Sequence, residues 1–275
     1  MNSANATSIL HLPAELVQII FLIVLQVSSH SEVIRTSTTL SSINAFWRNI
    51  ALNTPELWTR IQTRNVEWAN ILLQRSGSQL LSINIGNDGP RGESQENNVW
   101  VDVLDVLIEH SDRWEHLVLH RQVTLDDDVF GHLTEIKGRI SSLNSLHVVR
   151  SENLYKEWDV FSVAPSLRVV EWDHYRPECI FPFQHVKVLK LRWAMTEDLI
   201  PVLPTLTELV VLKLHSYSSE EIDVSDMPCV VLPRLRYLEF EGYSANKFLD
   251  FVSLPSLRRL KLSGGGGDRL NVFER

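Results

Sequence analysis

The chain has 275 residues, 44% of them hydrophobic and 22% charged, with a net charge of −8 at neutral pH. That length allows one large domain or two modest ones with a sizeable core, and the acidic balance, without a dense Lys/Arg cluster, argues against nucleic acid or an anionic membrane as partner. Two cysteines, Cys179 and Cys229, are too few for a disulfide framework, so the expected compartment is reducing, cytoplasmic or nuclear.

Residues 1–10 carry no pattern and are expected to be disordered. The stretch HLPAELVQIIFLIVLQV, residues 11–27, is densely apolar. A secretion signal would place a cation before this run, but the first Lys or Arg is Arg35. A membrane span needs about 20 apolar residues, and Glu15, Gln18 and Gln26 interrupt this one. A helix fits better. Pro13 suits its first turn, and Leu16, Ile19, Ile20, Ile23, Val24 and Val27 share one face. Val17, Phe21, Leu22 and Leu25 widen the apolar arc beyond that face. Such a helix is either buried all round or divided between its own domain and a second protein.

Residues 28–44, rich in Ser and Thr, resemble a loop or helix start. Leu40, Ile43, Phe46, Trp47, Ile50 and Ala51 then recur at helical spacing, and Asn53-Thr54-Pro55 ends that helix. Residues 11–62 are thus expected to form a compact helical unit, with 63–79 as a linker helix.

From residue 80 the pattern changes to short segments of the form apolar-x-x-apolar-x-apolar. Eight occur: LLSINI, WEHLVL, LNSLHV, LRVVEW, VKVLKL, LVVLKL, LRYLEF and LRRLKL, ending at residues 85, 119, 148, 172, 191, 214, 240 and 262. The alternating tail of each predicts a strand with one buried face, and a recurring L-x-x-L-x-L is the signature of leucine-rich repeats. Helical patterns at 97–112, 126–140 and 244–254 fill gaps between strands. The Asn or Cys that should follow each repeat is missing, and the period is irregular. Residues 80–263 therefore predict an α/β fold, either an irregular leucine-rich solenoid with a curved parallel sheet or an irregular domain with a mostly parallel sheet. The Gly264–Gly267 run makes 264–275 an expected flexible tail.

In order and spacing, Leu12-Pro13-x-Glu15-Leu16, Ile20-Phe21, Trp47-Arg48-x-Ile50-Ala51 and Pro55-x-Leu57-Trp58 resemble an F-box. Arg75-Ser76-Gly77, leading into a strand of alternating Leu, is similar to the junction in F-box-like proteins of mushroom-forming fungi. The resemblance covers residues 11–85. It implies a helical domain that docks on a Skp-type adaptor held by a cullin, with the repeats presenting a protein substrate for ubiquitin transfer. It places Leu12, Pro13, Leu16, Ile20, Phe21, Leu57 and Trp58 at or near the adaptor, and Trp47 and Ile50 in the domain's own core. The Ser/Thr-rich stretch 36–42 departs from the family, which often has apolar residues and a Cys there.

Outward strand positions give two columns on the face a solenoid uses for binding: Glu171, Lys190, Lys213 and Glu239, and Asp173, Arg192, His215 and Glu241. Their mixed signs suit a protein substrate. Ordinary solvated positions would look the same. The sequence contains no CxxC or HExxH zinc pattern and no phosphate-binding Gly-Lys-Ser/Thr. His116 and His120 are four apart on a predicted strand, too distant for one ion. No cofactor or metal is expected. The chain reads as a substrate-recognition subunit rather than an enzyme. The rival readings are a repeat scaffold that does not bind the adaptor, and an α/β enzyme whose site is assembled from scattered residues.

Overall fold

The structure, a computed structural model, describes residues 12–28, 32–86, 98–120, 127–149, 158–216, 229–242, 245–263 and 271–274. The expected disordered residues 1–10 lie outside that range. The chain divides into two compact units, Met1–Asn84 and Ile85–Arg275. No helix among the described residues is long and apolar enough to cross a membrane.

The first unit is helical. Helix α1 (Ala14–Val27) follows Pro13 directly and buries Val17, Phe21 and Leu25, a single i, i+4, i+8 stripe. Helix α2 (Val33–Ser42) occupies the stretch expected as a loop or helix start. Ser and Thr disfavour helix interiors by competing for backbone groups. Here Ser37, Thr38 and Thr39 donate their hydroxyls to carbonyls four residues back, at 3.1, 2.9 and 2.8 Å, so the competition is resolved inside the helix. Asn44 caps helix α3 (Ala45–Leu52) by accepting from the Trp47 N–H at 2.8 Å. A 3-10 turn over Pro55–Trp58 delivers Leu57 and Trp58 into the core.

Helix α4 (Val66–Ser76), expected as a linker, belongs to this first unit. Asn65 caps it, and its Arg75 guanidinium lies 4.5 Å over the Trp58 ring. Strands β1 (Arg60–Ile61) and β2 (Leu81–Ile85) pair in parallel, so the first repeat-like segment keeps company with the helices.

The second unit is α/β, built on a large parallel sheet. Strands β3 (Trp114–Leu119), β4 (Ser145–Val148), β5 (Val169–Asp173), β6 (Val188–Ala194) and β7 (Val211–Ser216) lie side by side in chain order. β8 (Val230–Val231) and β10 (Val252–Ser253) form a separate parallel pair, while β9 (Tyr237–Glu241) and β11 (Arg259–Ser263) continue the main sheet after β7. Seven of these strands fall on seven of the repeat segments, and β2 on the eighth. Among the described residues the strand order is open rather than closed.

Register explains why the repeats fold this way. Leu117, Leu146, Val170, Leu189, Leu212 and Leu238 face one another across the ladder, followed by Leu119, Val148, Trp172, Leu191, Leu214 and Phe240. All twelve are buried, each worth about 1.5–3 kcal/mol against exposure. A one-residue slip would turn every one of them to the other face. The segments align in only one way, with Leu209, Leu212 and Leu214 of LVVLKL inward.

Helices α5 (Asn98–Ile108) and α6 (Asp127–Thr134) lie in the expected gaps and bury Val103, Leu104 and Leu107, and Val129 and Leu133. The short helices α7 (Thr196–Leu199) and α8 (Ala245–Asp250) follow β6 and β9. The flexible tail needs correcting. Residues 264–270 lie outside the described range, but β12 (Asn271–Glu274) pairs antiparallel with β11 from Arg259↔Glu274 to Leu262↔Asn271.

Candidate functional site

Two surfaces carry the residues singled out by sequence, one on each unit. On the first, α1 shows opposite characters on opposite sides. Val17, Phe21 and Leu25 are buried, whereas Leu16, Ile19, Ile23 and Val27 are between 47% and 80% exposed. These four fall at i, i+3, i+7 and i+11, one continuous stripe about 16 Å long at 1.5 Å per residue. Ile20 and Val24 flank it half-buried, and Pro13 is exposed at its start. Single exposed apolar residues need no explanation, but an aligned row on one helix does. A second exposed apolar set, Ile43, Phe46 and Leu52, lies on and before α3.

The residues expected at or near the adaptor therefore separate. Pro13 and Leu16 are open, Leu12 and Ile20 half-buried. Phe21, Leu57 and Trp58 are corrected as open contact residues: all are buried. Phe21 packs edge to face on Trp47 at 5.1 Å. The Trp58 indole N–H donates to the Ala51 carbonyl at 2.9 Å, and the Leu57 carbonyl accepts from the Ser37 hydroxyl at 2.9 Å. Trp47 and Ile50 sit in the core as expected. Sequence reasoning underweighted Ile19, Ile23 and Val27, because an arc apolar nearly all round does not say which side turns inward.

On the second unit, the two outward columns assemble in register. Glu171 faces Lys190 and then Lys213 and Glu239. Beside them run Asp173, Arg192, His215 and Glu241. Opposite charges pair across strands. Lys190 bonds Glu171, and Glu239 takes both Lys213, at 3.0 Å, and Lys261. His215 is 3.7 Å from Glu241 and Arg192 is 4.0 Å from Asp173. Burial alone would raise the Glu239 carboxyl, but hydrogen bonds from Lys261, Lys213 and Tyr237 outweigh it and hold the group at about 2. Asp173 is corrected as a contact residue, since its side chain is buried and Arg192 stands over it exposed.

Two non-glycine residues beside this face, His174 (φ 59°) and Trp193, adopt a left-handed backbone, and Trp193 is the more irregular in register. It sits where the β6–β7 register shifts, with a left-handed backbone (φ 56°), 41% exposed. Its ring lies 4.8 Å from His215 and 6.3 Å from His174. A bulge re-aims a side chain, and here it holds an indole on the surface between two imidazoles. Tyr175, just after β5, is buried.

The titratable groups near α7 behave differently. Burial pushes the Cys179 thiol up to about 12 and raises Tyr175 and Asp198 as well. All three are driven toward neutral forms, the reverse of what an activated thiolate requires.

The chain matches no known family profile, and no curated protein matches it.

Proposed function

We propose that this chain is a substrate-recognition subunit of a Skp–cullin–F-box ubiquitin ligase. Its first unit would be an F-box-like domain and its second a leucine-rich-repeat-like solenoid that holds a protein substrate. The observation that carries this reading is the exposed row Leu16, Ile19, Ile23 and Val27 on a helix whose other side is fully buried. Laying an amphipathic helix against an apolar groove is a common recognition mode, with burial worth about 1.5–3 kcal/mol for each such side chain covered completely. The order of the Leu-Pro, Trp-Arg and Pro-x-Leu-Trp segments favours a Skp-type adaptor as the occupant. The regular outward columns of the second unit favour a protein ligand for the sheet face, with Trp193 and Arg192 as its protruding groups. The role is non-catalytic, chemistry belonging to other subunits.

Co-expression of the full chain with a Skp-type adaptor, followed by gel filtration, tests this reading. The two should elute together in equal amounts. Separate elution of a folded chain would leave a repeat scaffold without ligase association.

A further inference from the structure

The sequence carries no run of basic residues, yet the repeats stack cations that are far apart in the chain. Arg168, Lys187, Val210, Arg236 and Arg258 each occupy the position just after the first apolar residue of their repeat. Successive backbone bonds join them into one row at the N-terminal edge of the sheet, which opens with Glu115 and Asn144 and becomes basic from Arg168 onward. The Lys187 N–H donates to the Arg168 carbonyl at 2.8 Å, Val210 to Lys187 at 2.8 Å, Arg236 to Val210 at 2.9 Å and Arg258 to Arg236 at 2.9 Å. Four of the five positions are cationic, at the strand spacing of about 4.8 Å.

Lys187 and Arg236 also line a cleft of about 380 Å³ together with Arg234, Val210, Pro233, Glu208 and Ser256. Glu208 is the acid of this lining, and Arg234 is paired with it. Lys187, Arg236 and Arg258 are exposed and make no ion pair with a described carboxylate. The outward face differs, because there Lys190 is ion-paired with Glu171, and Lys213 and Lys261 share Glu239. A row of unneutralised cations on an acidic protein attracts a complementary anion.

We propose that this edge is a second docking surface, for an extended acidic segment of a partner protein whose carboxylates follow the row and enter the cleft at Lys187 and Arg236. The net charge of −8 favours a short acidic peptide over a nucleic acid, because a long polyanion extends beyond the row into the field of the whole chain. The surface lies on the second unit, distinct from the α1 stripe, and does not depend on adaptor binding.

The test is fluorescence anisotropy of a labelled oligoglutamate peptide with the full chain at low salt. An oligoglutamine peptide and a single-stranded oligonucleotide of equal length serve as comparison arms. Oligoglutamate should bind, oligoglutamine should not, and the affinity should fall steadily as salt rises. The double substitution Lys187→Gln/Arg236→Gln should weaken binding about tenfold or more. Lys190→Gln/Lys213→Gln, on the outward face, should leave it within about twofold of wild type. Unchanged thermal unfolding establishes that each variant is folded, and Lys187→Met/Arg236→Met replaces the first if it is not. Absence of oligoglutamate binding, equal loss in both double variants, or tighter binding of the oligonucleotide would each overturn the proposal.

Discussion

The ring of Phe21 meets that of Trp47 edge to face, with centroids 5.1 Å apart. That contact joins α1 to α3 and decides which side of α1 belongs to the fold. Phe21→Ala should therefore destabilise the first unit by about 3–5 kcal/mol, while Ile23→Asp on the open side should shift stability by no more than about 0.5 kcal/mol. Urea unfolding followed by tryptophan fluorescence separates the two. Equal losses would mean that both sides of α1 are packed.

Glu239 links stability to acid. Its carboxyl lies at about 2 in the folded chain against an ordinary 4.5. A depressed carboxylate contributes fully above its unfolded value, and the contribution is lost as pH falls through the folded one. The window runs from about pH 4.5 down to about pH 2. Glu239→Gln should lower the melting temperature at pH 6, and the gap to wild type should close across that window. A gap that stays constant would contradict the role of its hydrogen bonds from Lys213, Lys261 and Tyr237.

The two thiols should differ in reactivity. Cys229 is exposed, and Cys179 is buried with its thiol raised to about 12. At pH 8 the folded chain should release one equivalent of thionitrobenzoate promptly from Ellman's reagent, and the second only in denaturant. Prompt reaction of both would place Cys179 at an accessible site.

Gly242 has φ 151°, and a Cβ there would stand 3.0 Å from the Ser216 carbonyl oxygen and 3.1 Å from the Ser216 Cβ. Gly242→Ala combines backbone strain with a clash against β7, and should cost about 1–3 kcal/mol. Denaturant titration checks it. A neutral substitution would mean that the turn after β9 relaxes freely.

Much of this was legible in the sequence because strand register and leucine spacing are the same information. Leu189, Leu212 and Leu238 recur after 23 and 26 residues and face one another in the sheet. The outward columns follow from the same alternation. The orientation of α1 was not legible, since Phe21 and Ile23 are equally apolar and only the partners supplied by α3 distinguish them. Helix α2 was obscured by its hydroxyl side chains, which look like loop residues until their bonds to the preceding turn are seen. The basic edge was hidden because Lys187 and Arg236 lie 49 residues apart in the chain, with a whole repeat between them. Nor does any pattern announce that Trp193 adopts a left-handed backbone.

The most direct test of the account is a calorimetric titration of the full chain with a Skp-type adaptor, repeated with Ile19→Asp/Ile23→Asp. Each variant's thermal unfolding is recorded alongside. The account predicts saturable equimolar binding by the wild type and its loss in the double variant, with unfolding unchanged. Binding unaffected by the two aspartates, or none by a folded wild-type chain, would contradict it.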